Sequence, residues 1–496
     1  MNSENSKPDT YLNHRRRSIV REFLVSTSIH GLPGIGRGYN IKNFVFWLIL
    51  FVIFLGAMVY FVTETIINYL EYPSQTKVEL ETKFPMYFPA FTLCNISPGR
   101  SDLFLPAFLN WTTSQQLSYI NDSTTFTAYE AQFFLQFLID QVNNGEADIL
   151  ATYSFSLDDM LINCSYNGHL CNKSNFIQFS TSSYTCHTFN AKTENQSIHL
   201  TTDYGGEGVL QLELYIHEQI YLPYVTSGYG IITKIHDNTQ LPRLEFEGGI
   251  ALEPGKKHTL TYTKKLNTYL GSPYTSCTTY VPEDMKAYFE RYGNSHYEYS
   301  NLLCWIICQQ SYVFAQCGCG DPSEWNARTY FDNKNHSLVV GKLCNVTDTC
   351  YSTQRAIFLN NVTLQGISCP LCSNSECEII SFDIQVSAFK AVTTWKKDSI
   401  KQAVEQMSNS SFNNRPIALP DDWSTNWTNY IDKNYVNIQV IHGSYRVETY
   451  TEKPTISWSQ LVSTIGEYVG LWIGVSVISF IEVAELIYRL IRRHFA

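Results

Sequence analysis

The stretch from Ile456 to Leu490, ISWSQLVSTIGEYVGLWIGVSVISFIEVAELIYRL, constrains the fold more tightly than any other. It is long and apolar enough to cross a hydrocarbon core of ~30 Å, which takes about 20 helical residues. Its polar and small residues are not scattered. Ser463, Glu467, Gly470 and Gly474 recur at spacings of 4, 3 and 4, so a continuous helix puts them on one narrow face, with Glu485 close to its continuation. A charge at bilayer depth costs at least ~2.5 kcal/mol and normally faces a bundle interior or water. Two readings fit that face: a small-residue seam that packs helices together, or the wall of a pore.

A second apolar run, NFVFWLILFVIFLGAMVYFVTETII, begins at Asn43. It is too long for a signal-peptide core, and no small-residue cleavage site follows it. Arg15, Arg16, Arg17, Arg21, Arg37 and Lys42 precede it, and Arg489, Arg492 and Arg493 follow the last span. The positive-inside bias therefore predicts that both ends are cytoplasmic. The organisation read from the sequence is a cytoplasmic N-terminus over 1–42, transmembrane helix 1 over 43–68, an extracellular cysteine-rich domain over 69–455, transmembrane helix 2 over 456–490 and a cytoplasmic C-terminus over 491–496. All 14 cysteines fall between Cys94 and Cys377, which marks an oxidising compartment. Glycosylation sequons crowd the same region, at Asn110, Asn121, Asn163, Asn172, Asn195, Asn335, Asn345, Asn361, Asn409 and Asn426. A net charge of −10 argues against a nucleic-acid partner.

Between Arg15 and Gly38, arginines are set among apolar residues and the segment closes on Gly31, Gly34, Gly36 and Gly38. No strand precedes these glycines and no Lys-Ser/Thr follows them, so they do not form a nucleotide loop. The segment reads either as a flexible lead-in or as an element folded against the inner mouth of a pore. Alternation around Thr76 to Leu80 and before Cys94 predicts strands, as do the β-forming residues from Gly208 to Ile235 and the run LTYTKK. Trp111 to Val142 predicts helical stretches, with Tyr129 to Ile139 the most apolar, and Ser381 to Met407 reads as largely helical. Asn434 to Pro454 reads as a strand returning to the membrane. Cys164 and Cys171, seven apart, suit a local disulfide loop. Cys304 and Cys308 share a helix face, and Cys317 and Cys319 flank one glycine. Zinc is the rival to a disulfide ladder here, but the spacings are unlike common fingers and no His pair accompanies them.

Several motifs together resemble the degenerin/epithelial sodium channel/acid-sensing channel family along nearly the whole chain. They are His30-Gly31, FPAFTLCN from Phe88, DMLINCSYNG from Asp159, YTCHTFN from Tyr184, the C-x-x-x-C and C-G-C run, and GLWIGVS from Gly470, followed by Glu482 and Glu485. The resemblance implies a two-span α+β membrane protein, trimeric around a threefold pore, whose extracellular domain has a β-sheet core and peripheral helices. It implies the pairings Cys94–Cys186, Cys164–Cys171, Cys277–Cys377, Cys304–Cys372, Cys308–Cys369, Cys317–Cys350 and Cys319–Cys344. It places a selectivity filter at Gly474, Val475 and Ser476, where backbone carbonyls can replace an ion's water shell. It assigns gating to His30, Gly31 and Ser463, amiloride block to Gly470, and aromatic coupling to Tyr72 and Tyr274, the latter where relatives carry tryptophan.

Glu467 stands where relatives usually carry glycine or serine. Three copies would form an outer acidic ring that raises divalent permeability or block, unless the carboxylate turns toward a neighbouring helix. Glu482 and Glu485 either line the inner pore as a second acidic ring or, for Glu485, pair with Arg489 at i, i+4. Sodium, and calcium through Glu467, are the expected ions, and two identical or related subunits the expected partners. No cofactor, catalytic residue or metal site is expected, since neither G-x-S-x-G nor H-E-x-x-H occurs. No span carries the arginines of a voltage sensor, and R-x-x-R is absent from the outer domain, which argues against protease activation. An extracellular neuropeptide is the favoured stimulus. Proton gating, with His169, His187, His217, His236 and His442 as histidine candidates, constitutive opening and a non-conducting surface receptor are the alternatives.

Overall fold

The computed structural model describes residues 19–117, 126–146, 148–193, 197–201, 209–226, 228–242, 248–290, 297–332, 337–409 and 415–495. The chain divides into two compact units, one formed by Met1–Thr76 with Glu452–Ala496, the other by Lys77–Thr451.

The first unit is helical. Ile41–Leu70 forms one continuous helix, and it is the one helix among the described residues that is by itself long and apolar enough to cross a membrane. The C-terminal stretch does so only as a bent pair, Trp458–Ile473 and Val477–Phe495. This corrects the expectation of one helix over 456–490. Gly474 ends the first half-helix in the left-handed region at φ 66°, the axis turns by 68°, and the shared face therefore cannot run on to Glu485. Ser457 starts that half-helix with a capping box, accepting from the Gln460 N–H while Gln460 accepts from its own, a reciprocal pairing that satisfies two helix-end donors. Phe61 of the long helix stacks between Tyr468 and Trp472, with ring centroids at 5.4 and 5.6 Å.

The second unit is built on an eight-stranded sheet whose neighbours run Ser74–Thr82, Arg446–Pro454, Lys256–Thr268, Tyr435–His442, Leu210–Tyr215, Leu161–Tyr166 and His169–Leu170, with Glu378–Lys390 paired to Lys256–Thr268. Leu210, Leu212 and Leu214 alternate into the core against Val436, Ile438 and Val440, the period-2 pattern that the leucines predict. Two expectations are corrected here. Ser381 to Lys390 is not helical but the greater part of a strand, in which Phe382 and Ile384 pack on the core and alternate with exposed polar residues. Helix begins only at Thr394. Asn434 to Pro454 forms two strands rather than one, broken at Gly443, where a side chain would come within 2.8 Å of Thr261.

A five-stranded sheet, with order Ile250–Leu252, Ile231–His236, Ala90–Asn95, Thr185–Phe189 and Phe176–Ser180, carries Cys94 opposite Cys186. Their disulfide closes 92 residues. The remaining bridges are Cys164–Cys171, Cys277–Cys377, Cys304–Cys372, Cys308–Cys369, Cys317–Cys350 and Cys319–Cys344, and no free thiol remains among the described residues to ligate zinc. The last four tie the helix Asn301–Cys317 and the loop after it to the segment from Cys344 to Cys372. Loops of tens of residues closed in this way remove ~3–5 kcal/mol of unfolded-chain entropy each in the chain-entropy account.

Arg100 is fully buried, at 0% exposure. Its guanidinium meets Asp159 at 3.0 Å and Asp102 at 2.7 Å and donates to the carbonyls of Arg415 and Pro416.

Among the sequons, Asn110, Asn163, Asn172, Asn345, Asn361 and Asn409 are exposed and Asn426 is half-buried. Asn121, Asn195 and Asn335 lie outside the described residues.

Candidate functional site

The break in the C-terminal stretch organises the first unit. The Gly474 and Val475 N–H groups close the preceding half-helix on the carbonyls of Gly470 and Val469, and the Ser476 N–H donates to the Ser479 hydroxyl at 3.0 Å. Among the described residues, no hydrogen bond is made to the carbonyls of Gly474 and Val475. Unpaired carbonyls at bilayer depth are tolerated only where protein buries them or water reaches them. The Val475 oxygen lies 4.0 Å from where a Gly470 side chain would begin, which puts it beside the Gly470 face. Gly466 has nothing within 4 Å of a built side chain, and Ser463 and Glu467 are exposed. At ~100° per residue, Glu467 lies about 140° round the helix from Trp472. The small, acidic face thus points away from the aromatic stack on Phe61.

The segment before the long helix folds back onto this break. Residues 19–26 are helical, Leu32–Gly36 adds a short turn of helix, and the His30 N–H donates to the Ile473 carbonyl at 2.8 Å. The His30 ring fills the space beside Gly474, since a side chain there would come within 2.5 Å of its carbons. Gly31 sits at φ 86°, a conformation glycine tolerates and other residues rarely adopt. The clamp continues onto the second half-helix. Glu482 accepts from the Thr27 hydroxyl at 2.8 Å and the Ser28 N–H at 3.0 Å, and Ser28 and Ser479 share a hydroxyl contact at 2.7 Å. Thr27, Ser28 and Ser479 lie outside the residues that the sequence singles out; the hydroxyl run Ser26-Thr27-Ser28 shortly before His30 is a signal for the first two, and no comparable run marks Ser479. Glu482 is therefore a clamped carboxylate, and Glu485 pairs with Arg489, which also lies 3.7 Å from Glu22.

Tyr72, at φ 51° just past the long helix, belongs to the first unit. Tyr274 belongs to the second, in a turn in which its N–H donates to the Gly271 carbonyl.

Four of the five histidine candidates are buried. Burial pushes His187 and His442 down to about 4 and His217 and His236 down to about 3, with Arg100 adding to the effect on His217 and Lys234 to that on His236. His169 lies exposed at a strand end. The buried four stay neutral between pH 5 and 8, which removes them as sensors of mild acid in this conformation. They have a stability consequence with a definite sign. Below about 6.5 the unfolded chain takes up protons that the folded chain refuses until about 4, so stability falls as pH drops through that window. The thermal midpoint of the full chain is expected to decrease from pH 7 to pH 5, and His187→Gln to flatten the slope. An unchanged slope in that variant would exclude His187 as a contributor.

The family model described as amiloride-sensitive sodium channel matches residues 23–486. The bile acid-sensitive ion channel of Mus musculus is 21% identical over 484 residues, covering 95% of this chain and 87% of the relative. The FMRFamide-activated amiloride-sensitive sodium channel of Cornu aspersum is 22% identical, covering 95% and 83%, and acid-sensing ion channel 2 of Mus musculus is 24% identical, covering 96% and 87%. A matched span of that length defines the class as a membrane ion channel rather than an enzyme. The chain belongs to the amiloride-sensitive sodium channel family.

Proposed function

We propose that this chain is one of three subunits of a non-voltage-gated, amiloride-sensitive sodium channel of the plasma membrane, with both termini cytoplasmic, opened by an extracellular peptide. The observation that carries the pore is the break at Gly474 to Ser476, with two unpaired carbonyls beside an open face of Ser463, Glu467 and Gly470. Three such faces around an axis give a constriction of carbonyls and small residues, with Glu467 above it. The clamp from Thr27, Ser28 and His30 holds the two half-helices at their bend, so a signal that moves either half must strain or release it. Peptide gating draws its support from the FMRFamide-activated relative and from the neutrality of the buried histidines.

The test is whole-cell current in oocytes expressing the chain alone, at rest, under acid steps and with amidated neuropeptides, with amiloride added to each. A peptide-evoked, amiloride-sensitive sodium current is the expected result. A current evoked by acid alone replaces the stimulus, and surface-expressed protein silent under all three conditions overturns the homomeric form of the proposal. In the conducting channel, Glu467→Gln is expected to reduce calcium permeability or block severalfold while sodium current persists. Calcium behaviour unchanged by that substitution would place the carboxylate off the ion path.

A further inference from the structure

The second unit holds a cavity of about 350 Å³ between the start of the helix Glu283–Glu290, the helix Asn301–Cys317 and the turn Pro370–Ser373. Such a volume is within the range of small-molecule sites, which are mostly apolar with few polar groups. Met285, Ile307 and Leu371 line it beside the Cys304–Cys372 and Cys308–Cys369 disulfides. Those two bridges tie the helix to the turn, so this wall keeps its shape without a ligand. One charge interrupts the apolar lining. Asp284 borders the cavity and is only half-buried, so a molecule inside can reach it. The Met285 N–H donates to its Oδ1 at 2.8 Å. Among the described residues no cation acts on this carboxylate; its charged neighbour is Glu283, itself paired with Lys286 at 2.7 Å. Burial, with the like charge of Glu283 adding to it, pushes the Asp284 carboxyl up, as expected of a carboxylate that lacks a counter-ion.

We propose that this cavity binds an organic monocation, a protonated amine on a compact apolar body, whose N–H donates to Asp284 while the body packs on Met285, Ile307, Leu371 and the disulfides. The amine supplies the counter-charge that the fold does not, and a hydrogen bond between two ionised groups is stronger than one between neutral groups. The exposed ring of Tyr280, also at the cavity, offers a face that attracts cations. A neutral molecule of the same shape leaves the carboxylate unpaired. An organic anion meets carboxylates and no lysine, arginine or histidine in the lining. A bare metal ion needs about six oxygens, and the walls beside Asp284 are sulfur and hydrocarbon. The site is distinct from the ion path, since every residue that lines it belongs to the second unit and Glu467 to the first.

Tritiated 1-adamantylamine is the probe, an ammonium at neutral pH on a rigid apolar cage, and 1-adamantanol is its neutral counterpart. Equilibrium dialysis against the purified full-length chain in lipid nanodiscs, with uptake by empty nanodiscs subtracted, reads the affinity. Saturable binding of one amine per chain is expected, with the alcohol competing at least tenfold more weakly. Asp284→Asn keeps the size of the side chain and an acceptor for the Met285 N–H but removes the charge. It should weaken binding about ten- to hundredfold, the worth of one hydrogen bond to an ionised group. Ser311→Trp, which fills the cavity from its helical wall, should abolish binding. Glu467→Gln tests the pore as the rival location and should change the affinity by less than twofold. All variants are compared with the wild type by gel filtration, and if Ser311→Trp misassembles the conservative Asp284→Asn carries the test. No saturable binding, an alcohol that competes as well as the amine, or binding unchanged in Asp284→Asn or in an assembled Ser311→Trp would each overturn the proposal. Binding lost in Glu467→Gln would do so as well. The readout is binding, so it stands or falls independently of whether the chain conducts.

Discussion

Gly474→Ala is expected to reduce amiloride-sensitive current at least tenfold under whichever stimulus opens the wild type, with surface expression changed by less than twofold. Two costs combine at this residue. An L side chain at φ 66° carries a penalty of ~1–2 kcal/mol, and its Cβ would sit 2.5 Å from the Cγ and Cδ2 of His30 and 2.7 Å from Nδ1. Either the His30 ring rotates out of the space beside Gly474 or the break deforms, and both disturb the clamp. Removing the ring as well should recover part of the loss. The double variant Gly474→Ala with His30→Ala is therefore expected to conduct better than Gly474→Ala alone, the non-additivity that contacting residues show. Surface labelling together with current amplitude checks both claims. Wild-type current in Gly474→Ala, or no recovery in the double variant, would mean that the contact between His30 and Gly474 does not govern conduction.

Arg100→Met carries the second large effect, on folding rather than on the pore. Asp159 is fully buried, and removing its guanidinium partner leaves the carboxylate with only Arg415 as a neighbouring cation. Breaking a buried pair from one side costs ~3–5 kcal/mol, a large share of the ~5–15 kcal/mol that holds a folded protein together. The variant is expected to remain inside the cell, with surface biotinylation reduced more than tenfold and the thermal midpoint of the residual protein lowered. Lys173→Met is the matched control. Lys173 also pairs with an aspartate, Asp158, but both side chains are exposed, and exposed pairs contribute ~0–1 kcal/mol. Equal surface levels for the two variants would show that burial of Arg100 is not what makes its pair matter.

Where local pattern sufficed, the sequence was legible. The long helix Ile41–Leu70 follows from an unbroken apolar run, and the strand Leu210–Tyr215 from leucines at every second position. The strand Glu378–Lys390 is not legible locally, because Ser381 to Lys390 carries no turn residue to separate it from the helix at Thr394. Its state is decided by thirteen paired positions on Lys256–Thr268, a partner more than a hundred residues away. The disulfide pairs posed the same difficulty. Spacing suggested Cys164–Cys171, but a bridge closing 100 residues, such as Cys277–Cys377, depends on where the fold brings its ends.

Two apolar stretches, arginines before the first and after the second, and cysteines confined between them can be read without a fold, because hydrophobicity, charge and composition act residue by residue. The break in the second stretch cannot be read that way. A glycine within a helix costs about 1 kcal/mol and does not break it alone. At Gly474 the break is held from outside, by His30 bonded to Ile473 and filling the space beside Gly474, and by Thr27 and Ser28 bonded to Glu482, residues more than 440 positions away in the chain.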